Sequence, residues 1–99
     1  MPKLGDVVEK VRSKNAGPFW LTIDIFCGDH GTFEKVKDAL QSADVAAIYR
    51  VRQQELKRFD IADLNVIKFS MPRPVVQGHI HDRDMHGAGY AALLAELEI

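Results

Sequence analysis

Two polar stretches hold the side chains that could do chemistry. The first is RSKNAGP, residues 12–18. Arg12 suits bidentate binding of a carboxylate or phosphate, and Lys14 neutralises an anion as a point charge. Asn15 offers an amide donor and an acceptor. Ala16 and Gly17 can bring backbone N–H groups close to a ligand. The stretch is not a P-loop, because the glycine spacing and the terminal Lys-Ser/Thr are missing. Its functional reading is an anion-binding loop, and its bland reading is a solvated loop with local caps. The second stretch runs from Arg73 to His86, with three histidines (His79, His81, His86) and two acids (Asp82, Asp84). Histidine titrates near neutrality, so His86 or Asp84 could act as acid or base. First-row metals accept such nitrogen and oxygen donors, but the spacing matches no zinc motif. No metal or other cofactor is assigned.

Further side chains invite a role and have a simpler one. Asp24 falls on the face of a strand opposite the apolar one, where it is either solvated or paired with Lys68 on a neighbouring strand. Trp20 and Phe26 share that face, which hints at a cover supplied by the tail or by another protein. Cys27 lies on the apolar face and reads as a buried small hydrophobe rather than a reactive thiol. The basic run from Arg50 to Arg58 reads as a solvated helix end and loop, or as an anion or partner contact. A serine–histidine nucleophile is not evident. The basic residues form no stripe interleaved with aromatics, which argues against nucleic acid.

These groups need a scaffold, and the clearest part of it is FWLTIDIFC, residues 19–27. Phe19, Leu21, Ile23, Ile25 and Cys27 alternate with Trp20, Thr22, Asp24 and Phe26, which predicts a half-buried strand. Residues 4–11 space Leu4, Val7, Val8 and Val11 as one side of a short helix, and residues 12–18 follow as a loop. Thr32 can cap a helix carrying Phe33, Val36, Ala39 and Leu40, and Ser42 can cap a second carrying Val45, Ile48 and Tyr49. Residues 56–61 and 66–71 read as two strands joined by Ala62-Asp63-Leu64-Asn65. Tyr90, Leu93, Leu94 and Leu97 have helical spacing in an alanine-rich tail. The order predicts an α/β fold, a small two-layer sandwich that is ferredoxin-like or related. Residues 74–81 are the candidate for the strand that would complete a ferredoxin-like pattern.

Size and charge narrow the function classes. Ninety-nine residues make one domain with a modest core. Association with a partner, or of the chain with itself, would supplement that core. A formal net charge of −1 gives no global attraction to nucleic acid or to an anionic membrane. No signal-peptide h-region or 18-residue apolar run is visible, so a cytoplasmic location is the expectation.

The pieces LGDVVEKVRSKNAGP (4–18), TIDI, IKFSMPRP (67–74) and DRDMHGAGYAALLAELEI (82–99) together resemble the DUF4387 family of small proteins. The resemblance spans nearly the whole chain and carries over Arg12, Ser13, Lys14, Asn15, Gly17, Pro72, Arg73, Pro74, Asp82, Asp84 and Gly87. His86 stands where tyrosine is common among members, and Gly89-Tyr90-Ala91 replaces a Gln-Gln-His-like run. The resemblance implies a companion of a large AtuA-like (DUF1446) protein, and so the small subunit of a two-component catabolic enzyme. A hydratase or lyase acting on an organic acid or acyl-CoA-like compound is the implied reaction class. In that reading Arg12, Ser13, Lys14, Asn15, Gly17 and Arg73 contact a small anionic substrate at the subunit interface. Asp82, Asp84 and His86 move protons, and residues 79–99 form a partner-binding tail. The alternatives are a non-catalytic scaffolding or regulatory subunit and a self-contained metal-dependent lyase.

Overall fold

A computed structural model describes residues 2–17, 19–72 and 90–99. In chain order the elements are α1 (Leu4–Val7), β1 (Lys10–Asn15), β2 (Trp20–Phe26), α2 (His30–Ala39), α3 (Ser42–Tyr49), β3 (Lys57–Ile61), β4 (Val66–Pro72) and α4 (Tyr90–Ala95). The strands form one antiparallel sheet in the order β1-β2-β4-β3.

The inward face of the two central strands is set by the period-2 rule. Leu21, Ile23 and Ile25 on β2 stand opposite Met71, Phe69 and Ile67 on β4, and all six are fully buried. Phe33, Val36 and Leu40 from α2, Val45 and Tyr49 from α3, Leu94 from α4 and Leu4 from α1 join the same cluster. The described helices therefore share one side of the sheet, and the fold is the expected two-layer α/β arrangement. Cys27 is buried in that cluster as a free thiol. No helix among the described residues is long and apolar enough to cross a membrane.

The unit β2–α2/α3–β3–β4–α4 has a split βαβ core, because β4 lies between β2 and β3. That is the ferredoxin-like pattern, with the strand beside β2 supplied from before the unit. β1 takes that place, whereas the sequence pointed to residues 74–81, which lie outside the described residues. The helix expected over residues 4–11 is a single turn, and residues 10–15, read as helix end and loop, are strand. β1 hydrogen-bonds along β2 and so satisfies backbone groups that a solvated loop would leave to water. Gly17 follows with φ +88°, a left-handed conformation that suits glycine at the hairpin turn.

Caps also differ from expectation. Asp29, not Thr32, is the N-cap of α2: its Oδ1 accepts from the Thr32 N–H at 2.7 Å. That backbone hydrogen bond holds the Asp29 carboxyl below its usual range. Ser42 is the first residue of α3, and the N-cap position is Gln41. The turn between β3 and β4 closes on Asn65, whose φ of 54° is a left-handed conformation that asparagine tolerates.

α4 is held by its termini and its neighbours. Tyr49 donates its hydroxyl to the Tyr90 carbonyl, and the Leu4 N–H donates to the Leu97 carbonyl at 2.8 Å. Gly5 packs so closely on Ala95 that a Cβ there would sit 3.0 Å from the Ala95 Cβ. Burial pushes the Tyr49 phenol well above its ordinary value. In the unfolded chain the phenol ionises near pH 10, whereas in the fold it stays protonated, so stability falls as pH rises above about 10. The expected slope from this group is about 1.4 kcal/mol per pH unit. Tyr49→Phe should flatten that decline and cost about 1 kcal/mol at neutral pH through the lost hydrogen bond. Urea titrations of both proteins between pH 7 and 11 check this. The buried Cys27 thiol is raised too and contributes with the same sign in both.

Candidate functional site

Strand geometry divides the RSKNAG stretch between two sides of the sheet. Arg12 and Lys14 stand opposite Asp24 and Thr22 of β2, on the face away from the helices, and both are exposed. Ser13 and Asn15 stand opposite Ile23 and Leu21, on the helical side. The cations and the polar neutral residues of this segment therefore do not converge on one ligand. Ser13 is buried, and its Oγ accepts from the Ala91 N–H at 2.8 Å. That N–H belongs to the first turn of α4, where no intrahelical acceptor exists. Ser13 thus fixes α4 to the sheet. Ser13→Ala would strand a buried donor and should cost about 1–3 kcal/mol, read as a lowered urea midpoint with faster hydrogen exchange in α4. Ala16 is occupied as well, donating its N–H to the Trp20 carbonyl at 2.9 Å.

Arg73, Asp82, Asp84 and His86, with His79 and His81, lie outside the described residues. Among the described residues no group of three or more His, Cys, Asp or Glu is arranged to hold a metal ion.

The open face of the sheet brings together residues that are scattered in the sequence. Across the four strands one row reads Lys14, Thr22, Ser70, Lys57 and the next reads Arg12, Asp24, Lys68, Phe59. Asp24 and Lys68 are direct cross-strand neighbours, as their positions in the sequence suggested, and Arg12 flanks Asp24 on the other side. The ion pairs closed among the described residues lie elsewhere, at Lys3–Glu96, Lys37–Glu34, Arg52–Glu55 and Arg58–Asp60, with His30 near Glu34. Lys10 adds a further cation at the end of β1. Trp20 is 40% exposed and Phe59 48% exposed on this face. The Lys57 ammonium lies 5.9 Å from the Trp20 ring centroid, a cation–π contact that orients the indole.

The basic run from Arg50 to Arg58 divides differently. Arg52 pairs with Glu55 at 2.7 Å. Arg58 turns under the sheet edge and donates to the carbonyls of Leu40 and Lys37, so its role is to hold the end of α2. Lys57 alone of this run takes its place on the open face. Sequence reasoning missed the face as a unit because strand order decides which residues become neighbours. The available signal was the run Lys10, Arg12, Lys14, a period of 2 in charge.

The fold defines a small two-layer α/β domain whose described helices all lie on one side of the four-stranded sheet. Residues 4–98 match the model of DUF4387, a domain of unknown function, and the chain belongs to that family. No curated protein and no solved structure matches it.

Proposed function

We propose that this chain is the cytoplasmic small subunit of a heteromeric catabolic enzyme whose large component is an AtuA-like (DUF1446) protein. The reaction class is hydration or lyase chemistry on an organic acid or acyl-CoA-like substrate, at a site shared between the subunits. The observation that supports a subunit role is the open sheet face. Trp20 and Phe59 stay substantially exposed there beside Arg12, Lys14 and Lys68. A domain that ends in such a face gains by covering it with a partner. Arg12 and Lys14 then stand at the interface, where they can hold a carboxylate or phosphate. Asp82, Asp84, His86 and Arg73 complete the proposed set, with acid–base roles for the first three.

A non-catalytic scaffolding subunit is the second reading. It is favoured by Ser13, which the fold uses to hold α4. The two separate on the mass and the activity of the native complex drawn from its own cells through this chain. A large AtuA-like partner, with Arg12→Ala and Arg73→Ala abolishing turnover but not assembly, supports the shared site. Weakened assembly with turnover per complex unchanged supports the scaffold. Recovery of the chain alone would sink both.

A further inference from the structure

We infer that the open face of the sheet docks onto an acidic surface of a protein partner, with Trp20 as an aromatic anchor at one end of the face. The inference rests on the subunit reading above and specifies the chemistry of the surface that the large component must present.

Charge carries the first part of the argument. Among the described residues the open face holds Lys10, Arg12, Lys14, Lys57 and Lys68, and Asp24 is its one acid. The chain as a whole has 13 Lys and Arg against 14 Asp and Glu, for a net charge of −1. Among the described residues positive charge is therefore concentrated on this face and negative charge elsewhere. A complementary surface is acidic.

Placement carries the second part. Lys10, Arg12 and Lys14 lie on the edge strand β1, and Lys57 lies on the opposite edge strand β3. The central strand β2 contributes the exposed Trp20 and the half-buried Phe26 to the same face. Trp20 lies at one end of the face and Phe26 at the other, with the rows of Lys14, Thr22, Ser70, Lys57 and of Arg12, Asp24, Lys68, Phe59 between them, so the face offers an aromatic anchor beside a charged strip. Tryptophan and arginine are the side chains that most often dominate such surfaces. The Lys57 contact already restricts the Trp20 ring, so less side-chain freedom is lost on docking.

Two other occupants fit less well. A second copy of the chain, paired face to face about a two-fold axis, would set this basic face against its own image. Single-stranded nucleic acid would meet the Asp24 carboxylate in the central row between Arg12 and Lys68. A protein partner can answer that carboxylate with a lysine or arginine of its own.

The test titrates the purified chain against the large AtuA-like subunit by calorimetry at 50 and 300 mM NaCl, about a two-fold change in Debye length. The expected result is an affinity about ten-fold weaker at the higher salt. The double charge reversal Lys14→Glu, Lys57→Glu should weaken binding about 30-fold or more, and Trp20→Ala about ten-fold or more. Lys35→Glu, on the exposed side of α2, should stay within about two-fold of the unaltered chain. Urea midpoints of the variants establish that each is folded. Equal affinity of the double reversal and the unaltered chain would overturn the docking surface and leave the subunit reading standing. Failure of the unaltered chain to bind the large subunit would overturn that reading itself. Preferential binding of a labelled oligonucleotide, lost in the double reversal, would overturn the protein partner in favour of nucleic acid.

Discussion

Phe69→Ala should remove about 3–5 kcal/mol of folding stability, the largest loss expected from a single substitution in this domain. Phe69 is fully buried on the central strand β4. It stands between Ile23 of β2 and Arg58 of β3 in one cross-strand row, under the helical layer. Truncation removes both the transfer free energy of the ring and its contacts, and a cavity in the middle of a sheet cannot collapse easily. Domains of this size carry about 5–15 kcal/mol in total, so the variant should lose a large part of its margin. Phe69→Leu keeps most of the volume and should cost about 1–1.5 kcal/mol. Urea denaturation reads both as shifts of the midpoint at unchanged slope. A loss under about 1 kcal/mol for the alanine variant would mean that the helices do not cover this face as described.

The strands that carry strong hydrophobic alternation are legible in the sequence alone. Leu21, Ile23 and Ile25 predict β2, and Ile67, Phe69 and Met71 predict β4, because a buried face forces one apolar residue at every second position. β1 was not legible on that criterion. Of its inward residues only Val11 is apolar; Ser13 meets the first turn of α4, which needs an acceptor rather than a methyl group. Its outward residues are Lys10, Arg12 and Lys14, which resemble a solvated loop when read in line. An edge strand on a wet face needs little hydrophobicity, and lysines there also discourage pairing with another chain. The candidate site was legible in part for the same reason. Arg12, Lys14, Asp24 and Lys68 could each be named, and Asp24 with Lys68 could be paired. Their union with Lys57 and Trp20 depends on strand order, which joins residues far apart in the sequence and leaves no local mark. The dual use of residues 12–15, alternately outward cation and inward polar group, likewise requires knowing that the segment is extended.

Arg58→Lys should cost about 1–2 kcal/mol although it conserves charge, and Arg58→Ala about 2–3 kcal/mol. The guanidinium donates through Nη1 to the Leu40 carbonyl at 2.6 Å and through Nη2 to the Lys37 carbonyl at 2.9 Å. Its Nε donates to Asp60 Oδ1 at 2.9 Å, and its Cζ lies 5.7 Å from the centroid of the Phe69 ring. Lys37 and Leu40 lie at the C-terminal end of α2, where carbonyls lack intrahelical donors and the helix dipole favours a cation. A planar fork meets two carbonyls and a carboxylate at once, whereas an ammonium on a flexible stem holds fewer of them in fixed geometry. The ion pair to Asp60 is the lesser part of this arrangement. Asp60→Asn should therefore change stability by less than about 1 kcal/mol. Raising NaCl to 0.5 M should shrink that small effect while leaving the cost of Arg58→Lys nearly intact, since hydrogen bonds to carbonyls are not an ion pair to be screened. Equal salt sensitivity of the two variants would assign the stabilisation to the ion pair instead. The consequence reaches the open face, because Arg58 lies between Lys57 and Phe59 on the edge strand β3. Loss of its grip on α2 should speed hydrogen exchange along β3 and weaken binding of the proposed partner, even though Arg58 itself turns toward α2.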